Sequence, residues 1–290
     1  MQIGEESYLI QNYEKIKLLF DDLSSFGINL YKTVYTPEQD DPKNKVILVL
    51  LNQAVAHFDA INRLILSKNK SIVLSTSLQV RSLLEIEINL KLVTLIPADI
   101  NFSFIVLRDS AIERIKLIKN QLKTSEKYKN DMKLNVTKLE NELKRFKNKK
   151  NEISKKINWD KITEYLQKPK KVYINTEKAM SISDKCKLID YYYEQSGLQG
   201  TTRDEYLLDY KYLCDLAHSD INTILFETEK HEPSRIIKNV NGDPSLAYIL
   251  LKKAFLTYKS ILNIMIKEFD IATLQILNSM SSEFSNYFPK

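Results

Sequence analysis

"SIVLSTSLQVRSLLEIEINLKLV", Ser71 to Val93, contains neither glycine nor proline. Its apolar residues recur with helical spacing. At about 100° per residue, Leu74, Leu78, Ile88 and Leu92 fall within about 40° of one line. The spacing predicts a helix over 71–96 that stops before Pro97. Arg81 and Glu85 fall inside the same apolar stripe, while Ser75, Gln79, Ser82 and Asn89 gather on another side. The two charges are four residues apart, so they can meet. A buried ion without a partner is very costly, so a packed stripe requires them to pair. Two readings stand: a bridge that fixes helix packing, or a polar pocket in which Arg81 binds a phosphate-like anion and Glu85 orients it.

The same period runs through the chain. Helices are expected at about 5–26, 44–67, 102–127, 131–158, 181–195, 203–226, 244–268 and 270–286, with a short piece near 160–167. "TTRDE" is a capping box, with Thr202 as the cap and Glu205 reaching back, and Asp243–Pro244 is a good helix start. No alternating strand pattern appears. The expected class is all-α, a helical bundle core.

Composition supports this and excludes several chemistries. The 290 residues include five glycines, roughly a quarter of the usual share. Tight turns and phosphate-cradling loops need glycine, and no GxGxxG, GxxxxGK or GxSxG occurs. There is no HExxH, and His57 and Asp59 are two apart and face different directions on a helix. No metal or other cofactor is therefore expected. Cys186 and Cys214 lack metal spacing and read as reduced, small apolar residues. The amino terminus lacks a signal-peptide pattern, and no long uncharged apolar run exists. A cytoplasmic protein with no membrane contact is expected.

Charge is concentrated in one region. Between Lys116 and Lys171 there are 18 Lys and Arg against seven Asp and Glu, an excess of +11, while the remainder carries −5. Within it, Val136, Leu139, Leu143, Phe146, Lys150, Ile153 and Ile157 alternate spacings of three and four, a heptad seam. Its expected partner is the preceding helix, through Ile112, Ile115, Ile118 and Leu122. The pair would form a projecting basic helical hairpin. It can serve as a coiled-coil or dimerisation arm, engaging a protein through residues 131–158. It can also follow a nucleic-acid backbone, with Lys144, Arg145 and Lys147 on phosphates. Tyr128, Phe146, Trp159 and Tyr165 are few rings for base stacking, so single-strand binding is not strongly signalled. Three segments follow: 1–101 and 172–290 as two parts of the core, and 102–171 as the hairpin.

"YLLDYKYLCDLAHSDI", Tyr206 to Ile221, holds one of only three histidines. His218 falls within the apolar stripe of Leu207, Cys214 and Leu225, with Tyr210, Lys211 and Asp215 in reach along the helix. It is either a structural histidine that found a partner or half of an active site.

"FDAINRLI", "LQVRSLLEIEINLKLV" and "YKYLCDLAHSDI" together resemble the DUF5677 type of helical bacterial proteins. The matching positions are Asp59, Arg81, Glu85, Tyr210 or Tyr212, and His218, across about 45–100 and 180–265. Relative to that core the hairpin would be an insertion. Such proteins are in turn similar to the HEPN group, helical bundles of toxin–antitoxin and phage-defence systems. Active members are metal-independent ribonucleases, usually dimeric, marked by an arginine a short way before a histidine. Here Lys211 stands at that spacing before His218, and lysine lacks the planar fork for phosphate. The resemblance implies His218 as general acid or base, Arg81 and Lys211 as phosphate-stabilising cations, Glu85 as the group holding Arg81, and Tyr210 beside the substrate. It implies RNA as partner and a homodimer. The alternative is a non-catalytic helical scaffold that engages its partner through the basic hairpin.

Overall fold

The computed structural model describes residues 2–35, 40–66, 72–95, 101–127, 133–167, 173, 178–199, 202–217 and 244–287. Among them there are ten helices and no strand: α1 Gln2–Val34, α2 Pro42–Leu66, α3 Ile72–Leu95, α4 Phe102–Lys127, α5 Lys133–Lys155, α6 Trp159–Leu166, α7 Ile182–Gln195, α8 Thr202–Ala217, α9 Pro244–Glu268 and α10 Leu274–Tyr287. The fold is all-α. No described helix is long and apolar enough to cross a membrane. The last nine residues of the helix expected at 203–226, and the stretch 227–243 between it and the next expected helix, lie outside the described residues.

The chain divides into two compact units. The first comprises residues 1–39, 47–90 and 204–290. Its core is a run of rings: Phe58 stacks on Phe20 at 5.1 Å and on Tyr258 at 4.0 Å, and Phe255 stacks on Phe284 at 3.9 Å. These rings come from α1, α2, α9 and α10 and are almost wholly buried. Each contributes roughly 1.5–3 kcal/mol by leaving water. Polar pins join the helices at the rim. Asn62 on α2 donates to Asp21 on α1 at 2.7 Å, and Ser260 on α9 donates to Glu87 on α3 at 2.6 Å.

Helix α1 corrects one expectation. The first helix is expected to end at about 26, but it continues through Gly27 to Val34. Gly27 is where Tyr258 reaches across: a Cβ there would overlap the Tyr258 hydroxyl and lie 2.8 Å from Cζ. The missing side chain permits the ring to pack. That outweighs the ~1 kcal/mol by which glycine weakens a helix relative to alanine.

Helix α3 corrects another. The stripe read as packed is packed only towards its end. Ile88 and Leu92 are buried, but Leu78 is 46% exposed and Arg81 and Glu85 are partly exposed, while Ser77, Val80, Leu83, Leu84 and Leu90 on other sides are buried. The helix is apolar around most of its circumference, so periodicity could not tell which side faced the core.

The second unit comprises residues 40–46 and 91–203. Helices α4 and α5 pack along each other in antiparallel sense. Asn101 Nδ2 donates to the Lys156 carbonyl at 3.4 Å near one end, and Arg114 pairs with Glu142 at 2.8 Å further along. The seam is the expected one: Ile112, Ile115, Ile118, Ile153 and Ile157 are buried, with Leu139, Leu143 and Phe146 partly so. Arg114 and Arg145 both lie over the Phe146 ring, at 6.0 and 5.1 Å, in cation–π contact. Helix α6 is capped by the Asn158 side chain and packs on α7.

The start of α8 differs from the capping box. Thr202 already lies in the helix, and the Asp190 carboxylate accepts from Thr202 N at 2.8 Å and Arg203 N at 2.9 Å. An acid from α7 thus does the work assigned to Thr202. It supplies two acceptors and a full negative charge at the helix N-terminus.

Candidate functional site

Arg81, Glu85 and Tyr210 form a closed polar triangle between α3 and α8. Arg81 Nε donates to Glu85 Oε1 at 3.2 Å, and an Arg81 Nη donates to the Tyr210 hydroxyl at 2.6 Å. That hydroxyl donates to Glu85 Oε1 at 2.9 Å. The guanidinium carbon also sits 4.8 Å from the Tyr210 ring centroid. Tyr206, one turn earlier on α8 and buried, stacks on Tyr210 at 4.5 Å. The ring is therefore in contact with both an aromatic and a cation.

The local sequence dictates this arrangement. Arg81 and Glu85 share one side of α3, with the chelating geometry of an i, i+4 pair. Tyr206 and Tyr210 share one side of α8 by the same spacing. Of the two tyrosines that could carry the motif, Tyr210 is joined to Arg81. The Arg81 and Glu85 side chains are 26% and 35% exposed. Leu78 and Leu207, each one turn before a member of the triangle, are also exposed. The cluster is thus reachable from solvent. Glu85 offsets the charge of Arg81, so an entering anion must share the guanidinium with it.

The other expected residues fall as follows. Lys211 lies one residue beyond Tyr210 on α8, but its side chain, like that of Tyr212, is outside the described residues, as is His218. Lys144, Arg145 and Lys147 are exposed on α5, in the second unit. Arg145 lies 3.8 Å from Glu142, whose carboxyl is held below its usual range chiefly by the hydrogen bond from Arg114. Asp59 pairs with Arg63 at 2.8 Å. His57 Nδ1 lies 2.6 Å from Gln79 Oε1, on a side of α3 turned away from Arg81.

One polar cluster escaped the sequence reading. Arg108 on α4 is wholly buried. It donates to Asp109 Oδ1 and to the Lys178 carbonyl, both at 3.3 Å, and to the Tyr173 carbonyl. Its guanidinium carbon lies 5.1 Å from the Trp159 ring, which stacks on Tyr173 at 5.7 Å. Asp109 accepts from Met180 N at 3.1 Å and pairs with Lys185 at 3.0 Å, and the Tyr173 hydroxyl donates to Asp184 at 3.0 Å. Burial pushes the Arg108 pKa down, opposed by Asp109, and pushes the Tyr173 phenol up, aided by Asp184. Nearby, burial pushes the Cys186 thiol up to about 12, with Asp190 adding to the effect. The signal was available: Ile105, Arg108, Ile112 and Ile115 share the three–four spacing that drew attention to Arg81.

No curated protein and no solved structure matches the chain. A family model does, over residues 44–233, a span from α2 through α8 that takes in the Arg81–Glu85–Tyr210 triangle and His218. The chain belongs to the DUF5677 family, described as a family of unknown function.

Proposed function

We propose that the protein is a HEPN-like ribonuclease or RNA-targeting effector of the bacterial phage-defence or toxin type, and that its chemistry needs no metal. The observation that carries this reading is the tether between Arg81 and Tyr210. It holds a solvent-reachable guanidinium against α8, the helix whose last residue, Ala217, immediately precedes His218. Lys211, at the arginine spacing of active HEPN proteins, cannot form a planar fork; Arg81 can provide one from α3. In this reading His218 moves the proton of a ribose 2′-hydroxyl or of the leaving 5′-oxygen, its ordinary pKa being near neutral. Arg81 and Lys211 meet charge developing on the phosphate, and Glu85 and Tyr210 fix the guanidinium. Lys144, Arg145 and Lys147 add sequence-independent affinity for the backbone. A homodimer in the cytoplasm is the expected form. The test is cleavage of labelled RNA, with growth arrest on expression as a second readout. His218→Ala and Arg81→Ala should fold normally and lose both, and Arg81→Lys should keep charge but recover little activity. Cleavage by His218→Ala at the wild-type rate would sink the reading.

A second reading has its own observation. All three members of the triangle are bonded to one another, as expected of a bridge that only fastens α3 to α8. The protein is then a non-catalytic scaffold that engages a protein or nucleic-acid partner through α4 and α5. In that case Arg81→Ala and Glu85→Ala lower the melting temperature, and the His218 substitution changes nothing measurable.

A further inference from the structure

Three tyrosines from two helices, Tyr165 and the adjacent pair Tyr191 and Tyr192, meet at one place in the second unit. Tyr165 on α6 stacks on Tyr191 of α7 at 4.3 Å with 27° between planes. Tyr192 stands edge-on to both, at 6.0 Å and 82° from Tyr165 and at 5.6 Å and 89° from Tyr191. All three are partly exposed. Neither helix needs them for its core. α6 buries Trp159, Ile162 and Leu166, and α7 buries Cys186, Leu188 and Ile189. The rings therefore form an aromatic surface beside the packed side.

The surface is held rigidly. Helix α6 ends at Gln167 in the left-handed conformation, φ 52°, its N–H returning to Glu164 and Thr163, and α7 is capped by the Ser181 hydroxyl. The stack of Tyr165 on Tyr191 also ties the two helices together. Little freedom remains to be lost when a planar ligand stacks. Lys161 and Lys187 lie one turn before Tyr165 and Tyr191 on their helices. Glu164 and Glu194 lie on the same two helices, so local charge is mixed, and the rings must carry the attraction. The wider region supplies the complementary sign, through the +11 excess over Lys116–Lys171 and the exposed Lys144, Arg145 and Lys147 of α5.

We propose that Tyr165, Tyr191 and Tyr192 form a base-stacking platform for single-stranded RNA, whose phosphates the basic side of α5 attracts. This rests on the RNA reading above and adds to it a preference for unpaired over duplex RNA. Exposed rings stack on any base, and a duplex hides its base faces.

The experiment uses the full chain carrying His218→Ala, so that bound RNA stays intact, and a labelled oligouridylate of about a dozen nucleotides. Binding is followed by fluorescence anisotropy, with an RNA duplex and a proline-rich peptide alongside. Replacing Tyr165 and Tyr191 by leucine should weaken oligouridylate binding roughly tenfold or more and leave duplex binding unchanged. Replacing both by phenylalanine should keep the affinity. As a check that needs no substitution, 5-bromouridine in the same oligomer should crosslink to Tyr165, Tyr191 or Tyr192. A folded leucine variant that binds like its parent overturns the platform and leaves the RNA reading intact, as do crosslinks confined to other residues. A parent that binds neither RNA overturns both. Capture of the peptide alone, lost in the leucine variant, assigns the rings to a protein partner and overturns the platform.

Discussion

Tyr210→Phe removes one oxygen from the triangle and nothing else. The ring stays on Tyr206 and under the Arg81 guanidinium. The lost hydroxyl accepts from Arg81 at 2.6 Å and donates to Glu85 at 2.9 Å. Sheltered hydrogen bonds to charged groups contribute about 1.5–3 kcal/mol each. Both charges here are partly exposed, at 26% and 35%, which moves the value towards the ~0.2–1 kcal/mol of exposed pairs. Two bonds at about 0.5–1 kcal/mol each give an expected loss of about 1–2 kcal/mol. The assay is urea denaturation, with a lower midpoint at unchanged slope. Tyr210→Leu should cost roughly 0.5–1.5 kcal/mol more, since the stack on Tyr206 goes as well. The same Phe substitution in an Arg81→Met background should cost less, because one of its two partners is already gone. If Tyr210→Phe lies within about 0.3 kcal/mol of wild type, the hydroxyl does not hold the two charges, and the argument that Tyr210 positions Arg81 fails.

Three further outcomes follow from the packing. Gly27→Ala should destabilise by about 1–3 kcal/mol, the usual cost of overpacking, and Tyr258→Leu should remove that penalty in the double variant, as measured by chemical denaturation. Arg108→Met should cost about 3–5 kcal/mol, and Arg108→Lys should not restore stability, because an ammonium cannot serve the Tyr173 and Lys178 carbonyls and Asp109 together. Stability should fall as pH rises from about 9 towards 12. The Cys186 thiol moves from 9.0 to about 12, and the Tyr173 and Tyr258 phenols are also raised by burial. The unfolded chain then loses these protons first and gains over the folded one. Denaturation midpoints across that range check it, and Cys186→Ala should flatten part of the slope.

Much of the fold was legible because helices announce themselves through period and punctuation. The bounds expected for α4 and α9 are the observed ones, and the heptad seam of α5 is real. Misreadings occurred where a residue's meaning is set by another helix. The first helix is expected to end near 26, yet it runs on through Gly27, which lies against Tyr258. Thr202 reads as a cap until Asp190 arrives from α7. The α3 stripe reads as packed along its whole length because apolar residues surround the helix, and only its neighbours decide that Leu78 stays open while Ile88 and Leu92 are buried. Arg81 and Glu85 were visible as a pair; that Tyr210 completes the pair was not, since 129 residues separate it from Arg81. The tyrosine platform was illegible for the same reason: Tyr165 and Tyr191 share no local pattern.

The two arginine clusters show why burial alone is a poor guide to chemistry. Arg108 has the more perturbed environment, which by itself would mark it as the functional candidate. Yet its donors end on Asp109 and on the backbone carbonyls of Tyr173 and Lys178, and none of its side chain reaches water. A phosphate arriving there would have to displace main-chain acceptors and unpack Trp159. Arg81 has an ordinary ion pair and a tyrosine hydroxyl, and a quarter of its side chain is open. An anion can meet it by competing with the partly exposed Glu85 carboxylate, a far smaller rearrangement. The same residue type thus closes one site and leaves the other available, and the difference lies in what the guanidinium's partners are attached to.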